Sequence, residues 1–184
     1  MHLYQYAQPG VISNPTSHAE YLTMVLKNNF SLEKVTQAIL AIANVQKSIS
    51  QKDDTCDLTI TVGFSANAWQ ILFPKKEFPK GLKPFEEMKN GDRHFPSTAG
   101  DIFFMVKSSR MDLNYQAAKY LVQFFSTIAT TIDDVQGFKY LDDRDLIDFV
   151  DGTENPQGDL RYNSILVADG TYKGGSFLTI QKYI

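Results

Sequence analysis

Apolar and polar residues alternate from residue 58 to residue 64 in the order Leu-Thr-Ile-Thr-Val-Gly-Phe. This alternation predicts a strand with one buried face. Residues 102–106, Ile-Phe-Phe-Met-Val, are almost wholly apolar and therefore predict a strand in the centre of a sheet. Residues 20–26 and 135–141 predict two further strands.

Two longer segments carry apolar residues at helical spacing. Ser31 is a residue type that caps helices, and it precedes a predicted helix. The apolar positions that keep to one side of this helix are Leu32, Val35, Ile39, Ile42 and Ile49. A second amphipathic helix is predicted at about residues 114–130, and a short helical turn at residues 65–73.

The elements follow one another in the order βα-β-β-α-β, which is the split βαβ or ferredoxin-like arrangement of the α+β class. Prolines at positions 74, 79, 84 and 96 mark a long connection in which no regular element is predicted. We therefore expect a first domain at residues 1–141 and an irregular crossing segment at residues 142–173. Residues 174–184 are predicted to be the first strand of an incomplete second domain.

Composition indicates an ordinary globular protein with 43% hydrophobic and 21% charged residues. No apolar stretch approaches the ~18 residues needed to span a membrane. The net charge of −3 gives no electrostatic reason to bind nucleic acid or an anionic membrane. The single cysteine, Cys56, excludes an internal disulfide and suits a reducing compartment. Because no signal pattern begins the chain, we expect a cytoplasmic protein.

The most informative segment is residues 136–158, QGFKYLDDRDLIDFVDGTENPQG. A short apolar run ends in Asp151, and Gly152 follows, which leaves the backbone free to turn tightly or to approach a flat ligand. Judged on composition alone, the segment is an ordinary polar turn, because Asp, Gly, Asn and Pro are common turn residues.

The order of these residues favours a specific interpretation. The pattern GF-x-YLD-x-RDL-x-x-FVDGTENP at residues 137–156 resembles the signature of the dye-decolorising peroxidases, haem enzymes that use hydrogen peroxide. Gln8-Pro9-Gly10-Val11 resembles the opening segment of that family. The stretch Gly100-Asp101-Ile102-Phe103-Phe104, followed by Arg110 and Asp112, and the later Gly174-Gly175-Ser176-Phe177 resemble two further family segments.

The resemblance implies two ferredoxin-like domains of the dimeric α+β barrel superfamily around one haem b. It implies that Asp151 is the catalytic acid–base on the peroxide side, and that Asp151, Gly152, Thr153 and Glu154 adjoin the cofactor. The implied partners are hydrogen peroxide and an aromatic reductant of the phenolic or dye-like kind.

The sequence departs from the family pattern in two ways. Asp148 stands where the family usually has glycine. The family supplies its iron-ligating histidine and its distal arginine from a second half that follows residue 184. The histidines present, His2, His18 and His94, all precede the signature, and each is expected to be a solvated side chain. No metal ligand is therefore expected in this chain.

Two interpretations remain open. The chain is a fragment or truncated form of a peroxidase, or it is a haem-free ferredoxin-like binding or assembly module that has lost the catalytic half. We expect the last strand to pair with the first domain, with a second copy of the chain in a homo-oligomer, or with a missing C-terminal half, because an unpaired strand edge promotes association. Cys56 is expected to be a small buried or half-buried residue.

Overall fold

The computed structural model describes residues 2–182. In chain order the strands are β1 (His18–Leu26), β2 (Thr59–Phe64), β3 (Met88–Asn90), β4 (Arg93–Phe95), β5 (Ile102–Ser108) and β6 (Ala129–Phe138). The helices are a 3-10 turn (Leu3–Tyr6), α1 (Pro9–Ile12), α2 (Leu32–Ser50), α3 (Ala66–Leu72), α4 (Met111–Phe125) and α5 (Gly158–Ile165). Within residues 2–182, no helix has both the length and the apolar character needed to cross a membrane.

Four of the strands form an antiparallel sheet in the spatial order β2-β5-β1-β6. A long helix connects β1 to β2, and another connects β5 to β6. This is the ferredoxin-like α+β topology that the order of elements predicts.

The hydrophobic core lies between one face of this sheet and helices α2 and α4. Alternate residues of β1 and β5, among them Leu22 and Phe104, are fully buried on that face. The ring of Phe104 meets the ring of Phe125 from α4 edge to face, with 5.0 Å between centroids. Cys56 is also buried in this core, as the sequence predicts.

Two predicted helix starts are confirmed in atomic detail. The Ser31 hydroxyl accepts a hydrogen bond from the Glu33 amide at 3.2 Å, and the Ser65 hydroxyl accepts one from the Ala68 amide at 3.1 Å. Each serine satisfies an amide that has no partner within its own helix, which explains why α2 and α3 begin where they do.

The boundary between α4 and β6 differs from the prediction. The helix spans Met111–Phe125 rather than residues 114–130, and β6 begins at Ala129 rather than at residue 135. Residues 127–132, Thr-Ile-Ala-Thr-Thr-Ile, are rich in β-branched side chains, which favour strands over helices. Ile128 fits the helical spacing in the sequence although it lies beyond the end of the helix, because it is also buried in the core.

The proline-rich connection contains a short hairpin, so the prediction that it lacks regular structure is wrong. Strands β3 and β4 pair across a turn at Gly91-Asp92, where Gly91 has a φ of +58°. Glycine is favoured at the first position of a two-residue hairpin turn, because it adopts a positive φ without steric cost.

Three further predictions need correction. The crossing segment is not wholly irregular, because α5 lies within it. The strand predicted from residue 174 is not formed in residues 174–182, and residues 183 and 184 lie outside the described part of the chain. His18 is not a solvated loop residue: it begins β1, is half-buried, and its Nδ1 atom has no hydrogen-bond partner.

Candidate functional site

The segment that follows β6 folds back on itself as a loop, which we call the motif loop (residues 139–157). The Lys139 amide binds the Ser17 carbonyl at 2.8 Å, so the loop starts close to the first residue of β1. Arg144 and Val150 then form an isolated antiparallel bridge. The Asp151 amide donates to the Asp143 carbonyl at 3.0 Å. The two sides of the motif loop are therefore joined by backbone contacts just before Asp151.

Asp145 organises the tip of this loop. One of its carboxylate oxygens accepts hydrogen bonds from the amides of Ile147 at 3.0 Å and Phe149 at 2.9 Å. Its own amide donates to the Phe149 carbonyl at 2.9 Å. Aspartate is common in turns because its short side chain binds nearby backbone amides in this way.

Arg144 connects the two sides of the loop through its side chain. Its Nε atom lies 2.7 Å from Asp142, and its Nη1 atom donates to the Asp148 carbonyl at 2.7 Å. Lys139 pairs with Asp143 at 3.0 Å. Exposed ion pairs contribute only about 0–1 kcal/mol each, so the pairs fix the shape of the loop more than they stabilise the protein.

Asp151 itself is exposed, and its carboxylate makes no hydrogen bond or ion pair with the described residues. Gly152 has a φ of +77°, and a Cβ atom there would lie 2.8 Å from the Asn155 side-chain nitrogen. The Asn155 amide closes this turn on the Gly152 carbonyl at 3.0 Å. Glycine is thus required at residue 152 both by the backbone angle and by the space available. The result is a free carboxylate presented by a tight turn.

Large apolar side chains flank this carboxylate on the outside of the molecule. Leu146, Ile147 and Phe149 are 75%, 74% and 69% exposed. Thr153 and Glu154 are exposed as well. Contiguous exposed apolar side chains on a globular protein mark a surface that contacts a partner or ligand.

The other family-like stretch forms an ion cluster far along the chain from the motif loop. Arg110 binds Asp112 through two nitrogens at 3.1 and 2.7 Å, and a third nitrogen lies 3.1 Å from Asp53. Hydrogen bonds from Arg110 hold the pKa of Asp112 below its usual range. These contacts attach the start of α4 to the turn after α2, which gives the Arg-x-Asp pattern a structural explanation.

The segment that follows the motif loop is docked on the N-terminal residues, and the sequence did not predict this. Arg161 of α5 donates to the Ser13 carbonyl at 3.0 Å. Gly174 packs so closely on Tyr6 that a Cβ atom would lie 2.4 Å from the Tyr6 Cβ. Contacts between residues so distant in sequence leave no local pattern, so only the fold reveals them.

The fold and the loop together define a ferredoxin-like domain that presents the free carboxylate of Asp151 on a braced loop. The family model described as "Dyp-type peroxidase, N-terminal" matches residues 8–139, and "Dyp-type peroxidase, C-terminal" matches residues 142–184. The chain belongs to the Dyp-type peroxidase family.

Individual relatives agree with this assignment. A dye-decolorizing peroxidase of Rhodococcus erythropolis is 33% identical over 180 residues, which cover 97% of this chain and 52% of the relative. A dye-decolorizing protein from V. cholerae superposes with a TM-score of 0.84 at 31% identity and covers 91% of this chain and 55% of that one. A DypB variant from Rhodococcus jostii in complex with heme gives a TM-score of 0.82 at 30% identity, with 92% and 54% covered. The chain therefore spans about half the length of the relatives it matches.

The described residues do not by themselves form a haem site. His2 stacks on Tyr4, His18 lies in β1, and His94 is exposed and bound to Glu87 at 3.0 Å. Two cavities among residues 2–182, of about 400 and 160 Å³, are lined by residues outside the motif loop. This part of the chain supplies a free carboxylate and an apolar flank.

Proposed function

We propose that this chain is the N-terminal portion of a haem b peroxidase of the dye-decolorising type, which uses hydrogen peroxide to oxidise phenolic or dye-like aromatic reductants. The observation that carries the proposal is the free carboxylate of Asp151 at the end of a braced loop, in a chain of this family. Asp151 is proposed as the acid–base that accepts a proton from one oxygen of hydrogen peroxide and returns it to the other. Proton transfer by a positioned side chain contributes typically about 10²–10⁴-fold to a rate.

The residues next to Asp151 are proposed to adjoin the cofactor. Gly152 lacks a side chain, and Thr153 and Glu154 are exposed, so this turn offers backbone atoms to a flat ligand. The axial histidine and the distal arginine are proposed to come from a C-terminal portion that packs on this domain. The exposed side chains of Leu146, Ile147 and Phe149 support such a contact, because packing against a second domain would remove them from water.

The test replaces Asp151 with asparagine in a protein that includes the C-terminal portion and has been loaded with hemin. The variant keeps the shape of the side chain but removes its ability to carry a proton. We expect the Soret band to be unchanged and the stopped-flow rate of peroxide reaction to fall by about 10²-fold or more. Asp159→Asn, an exposed carboxylate on α5, is the matched control and should keep the parent rate. An unchanged rate in Asp151→Asn would remove this residue from the proposed mechanism.

A second candidate function is a haem-free binding or assembly module. It is favoured by the complete hydrophobic core of the first domain. Haem retention after hemin addition and desalting separates the two. We expect no retention by the 184-residue chain and near-stoichiometric retention once the C-terminal portion is present. Failure of the longer protein to retain haem would favour the haem-free module.

A further inference from the structure

Lys107 is a buried cation on the face of the sheet that points away from α2 and α4. Only 9% of it is exposed, and it lies directly opposite Thr59 of β2 and Ala19 of β1. Its ammonium group donates to the Ser13 carbonyl at 3.1 Å, and this is its only contact with a hydrogen-bond acceptor among the described residues. An ammonium group has three protons to donate, so two have no acceptor there.

A second cation reaches the same carbonyl oxygen. Arg161 donates to Ser13 at 3.0 Å and to the Asn14 side-chain oxygen at 3.3 Å. Neither Lys107 nor Arg161 forms an ion pair with any carboxylate of residues 2–182. Burial, and to a smaller extent the charge of Arg161, lowers the pKa of Lys107. Two like charges thus converge on one neutral acceptor.

Two hydroxyl groups beside them also have no partner. The Oγ1 atoms of Thr59 and Thr61 are buried without a hydrogen bond, and both lie next to Gly10 of α1. Thr61 is only 8% exposed. Buried polar groups in proteins are nearly always satisfied by protein, water or a bound ion, so this group of donors needs an acceptor.

We propose that Lys107 and Arg161 form a binding site for a small oxyanion, such as a carboxylate or a tetrahedral sulfate-like anion. An anion would neutralise the buried ammonium group and supply acceptors in charge-assisted hydrogen bonds. Ser13, which both cations contact, and Asn14, which Arg161 contacts, border a cavity of about 400 Å³.

The site is separate from the motif loop and does not depend on the proposed peroxidase function. It lies where α5, the N-terminal residues and β5 meet, so a bound anion would also hold α5 on the sheet. The fold alone brings these residues together, because Ser13 and Arg161 are 148 positions apart in the chain.

The experiment is a calorimetric titration of the chain with sodium sulfate, and separately with sodium acetate, at constant ionic strength. We expect saturable binding of at least one anion, weakened about tenfold or more in Lys107→Met and in Arg161→Gln, because each removes a charged hydrogen-bond donor. Lys119→Met, an exposed lysine of α4, is the control and should bind like the parent. Stronger binding of acetate identifies a carboxylate ligand, and stronger binding of sulfate a tetrahedral one.

A pH series provides a second measurement that does not rely on a destabilised variant. Because the anion binds the protonated lysine and the pKa of Lys107 is lowered, sulfate affinity should fall as the pH rises through that pKa. This fall should be absent in Lys107→Met. No saturable binding by the parent chain, or equal binding by all variants (an adventitious ion only), would overturn the proposal.

Discussion

Four residues other than glycine have positive φ angles within residues 2–182, and three of them lie in the motif loop. Leu141, Asp143 and Asp148 have φ values of +43°, +68° and +74°. A side chain in this left-handed region costs roughly 1–2 kcal/mol, less for aspartate than for most residues. The hydrogen bonds made by Asp145 and Arg144 hold the loop in this conformation.

Asp148→Gly should stabilise the protein. Glycine adopts a φ of +74° without steric cost, and the Arg144 contact is kept because it uses the backbone carbonyl of residue 148. We expect the free energy of unfolding in urea to rise by about 0.5–1 kcal/mol. This net gain is smaller than the relieved strain, because glycine also gives the unfolded chain more conformational freedom.

Asp92→Gly is the matched control for this prediction. Asp92 is also an exposed aspartate in a turn, but its φ is not positive. The same loss of charge should therefore give no stabilisation. If Asp148→Gly changed the free energy of unfolding by the same amount as Asp92→Gly, the backbone angle at residue 148 would not be a source of strain.

The sequence identified residue 148 as unusual, but it did not explain why. Comparison with the family motif shows that glycine usually stands there, and this needs no structure. The physical reason is the positive φ, which arises from contacts that Asp145 and Arg144 make across the loop. Backbone angles of this kind depend on several residues at once, so a single position does not reveal them.

At the scale of elements, two glutamine side chains bind the backbone at one edge of the sheet, strand β2. The side-chain amide of Gln8 pairs with the backbone of Val62, donating to its carbonyl at 2.8 Å and accepting from its amide at 2.9 Å. The Gln46 side chain accepts from the Ile60 amide at 3.0 Å. These glutamines occupy the free edge of β2 and prevent another strand from pairing there.

Gln8→Leu should expose this edge. Two hydrogen bonds to Val62 are lost, each worth about 0.5–1.5 kcal/mol, so the Val62 amide should exchange with solvent at least about tenfold faster. Hydrogen exchange followed by NMR measures this rate. Gln37→Leu, an exposed glutamine of α2, is the control. Equal exchange at Val62 in both variants would contradict the role given to Gln8.

Sequence periodicity predicted the four main strands and both long helices, because each buries one regular face. It placed the α4–β6 boundary wrongly, since Ile128 fits a helical spacing although it lies past the helix end. It missed the β3–β4 hairpin, although Gly91-Asp92 is a recognisable turn signal, because the prolines dominated the interpretation. Periodicity fails to locate a boundary when a buried apolar residue lies between two elements and fits the spacing of one of them.

At the scale of the whole molecule, one buried carboxyl group links stability to pH. Glu20 of β1 is 1% exposed, and its Oε2 atom has no hydrogen-bond partner. Burial first, and then the nearby Asp134 carboxylate of β6, raises the pKa of Glu20 to about 7 from an ordinary value of 4.5. The folded protein therefore keeps the proton that the unfolded chain releases.

The stabilisation from Glu20 should be fully present below pH 4.5 and lost as the pH rises to about 7. Glu20→Gln removes this titration. Relative to the parent, the variant should gain on the order of 3 kcal/mol between pH 4.5 and pH 8 in urea unfolding. Glu86→Gln, an exposed glutamate, should track the parent. A constant difference between Glu20→Gln and the parent across this range would rule out the titration.

The limits of the first domain, the role of Asp151 and the cytoplasmic location stay predictions. Contacts within residues 2–182 do not test these three predictions. The family and the fold class could be tested, because the family is recognised from a linear motif and the fold class from the order of helices and strands.

By itself the sequence determined the family, the ferredoxin-like order of elements and the location of the exposed carboxylate motif. These follow from short-range patterns: residue order in the motif, apolar periodicity in the helices and strands, and serines at helix starts. Only the tertiary structure decided the strain at Asp148, the protected edge of β2, the buried Glu20 and the convergence of Lys107 with Arg161. Each of these arises from contacts between distant residues, whose energies depend on burial and geometry that no local pattern records.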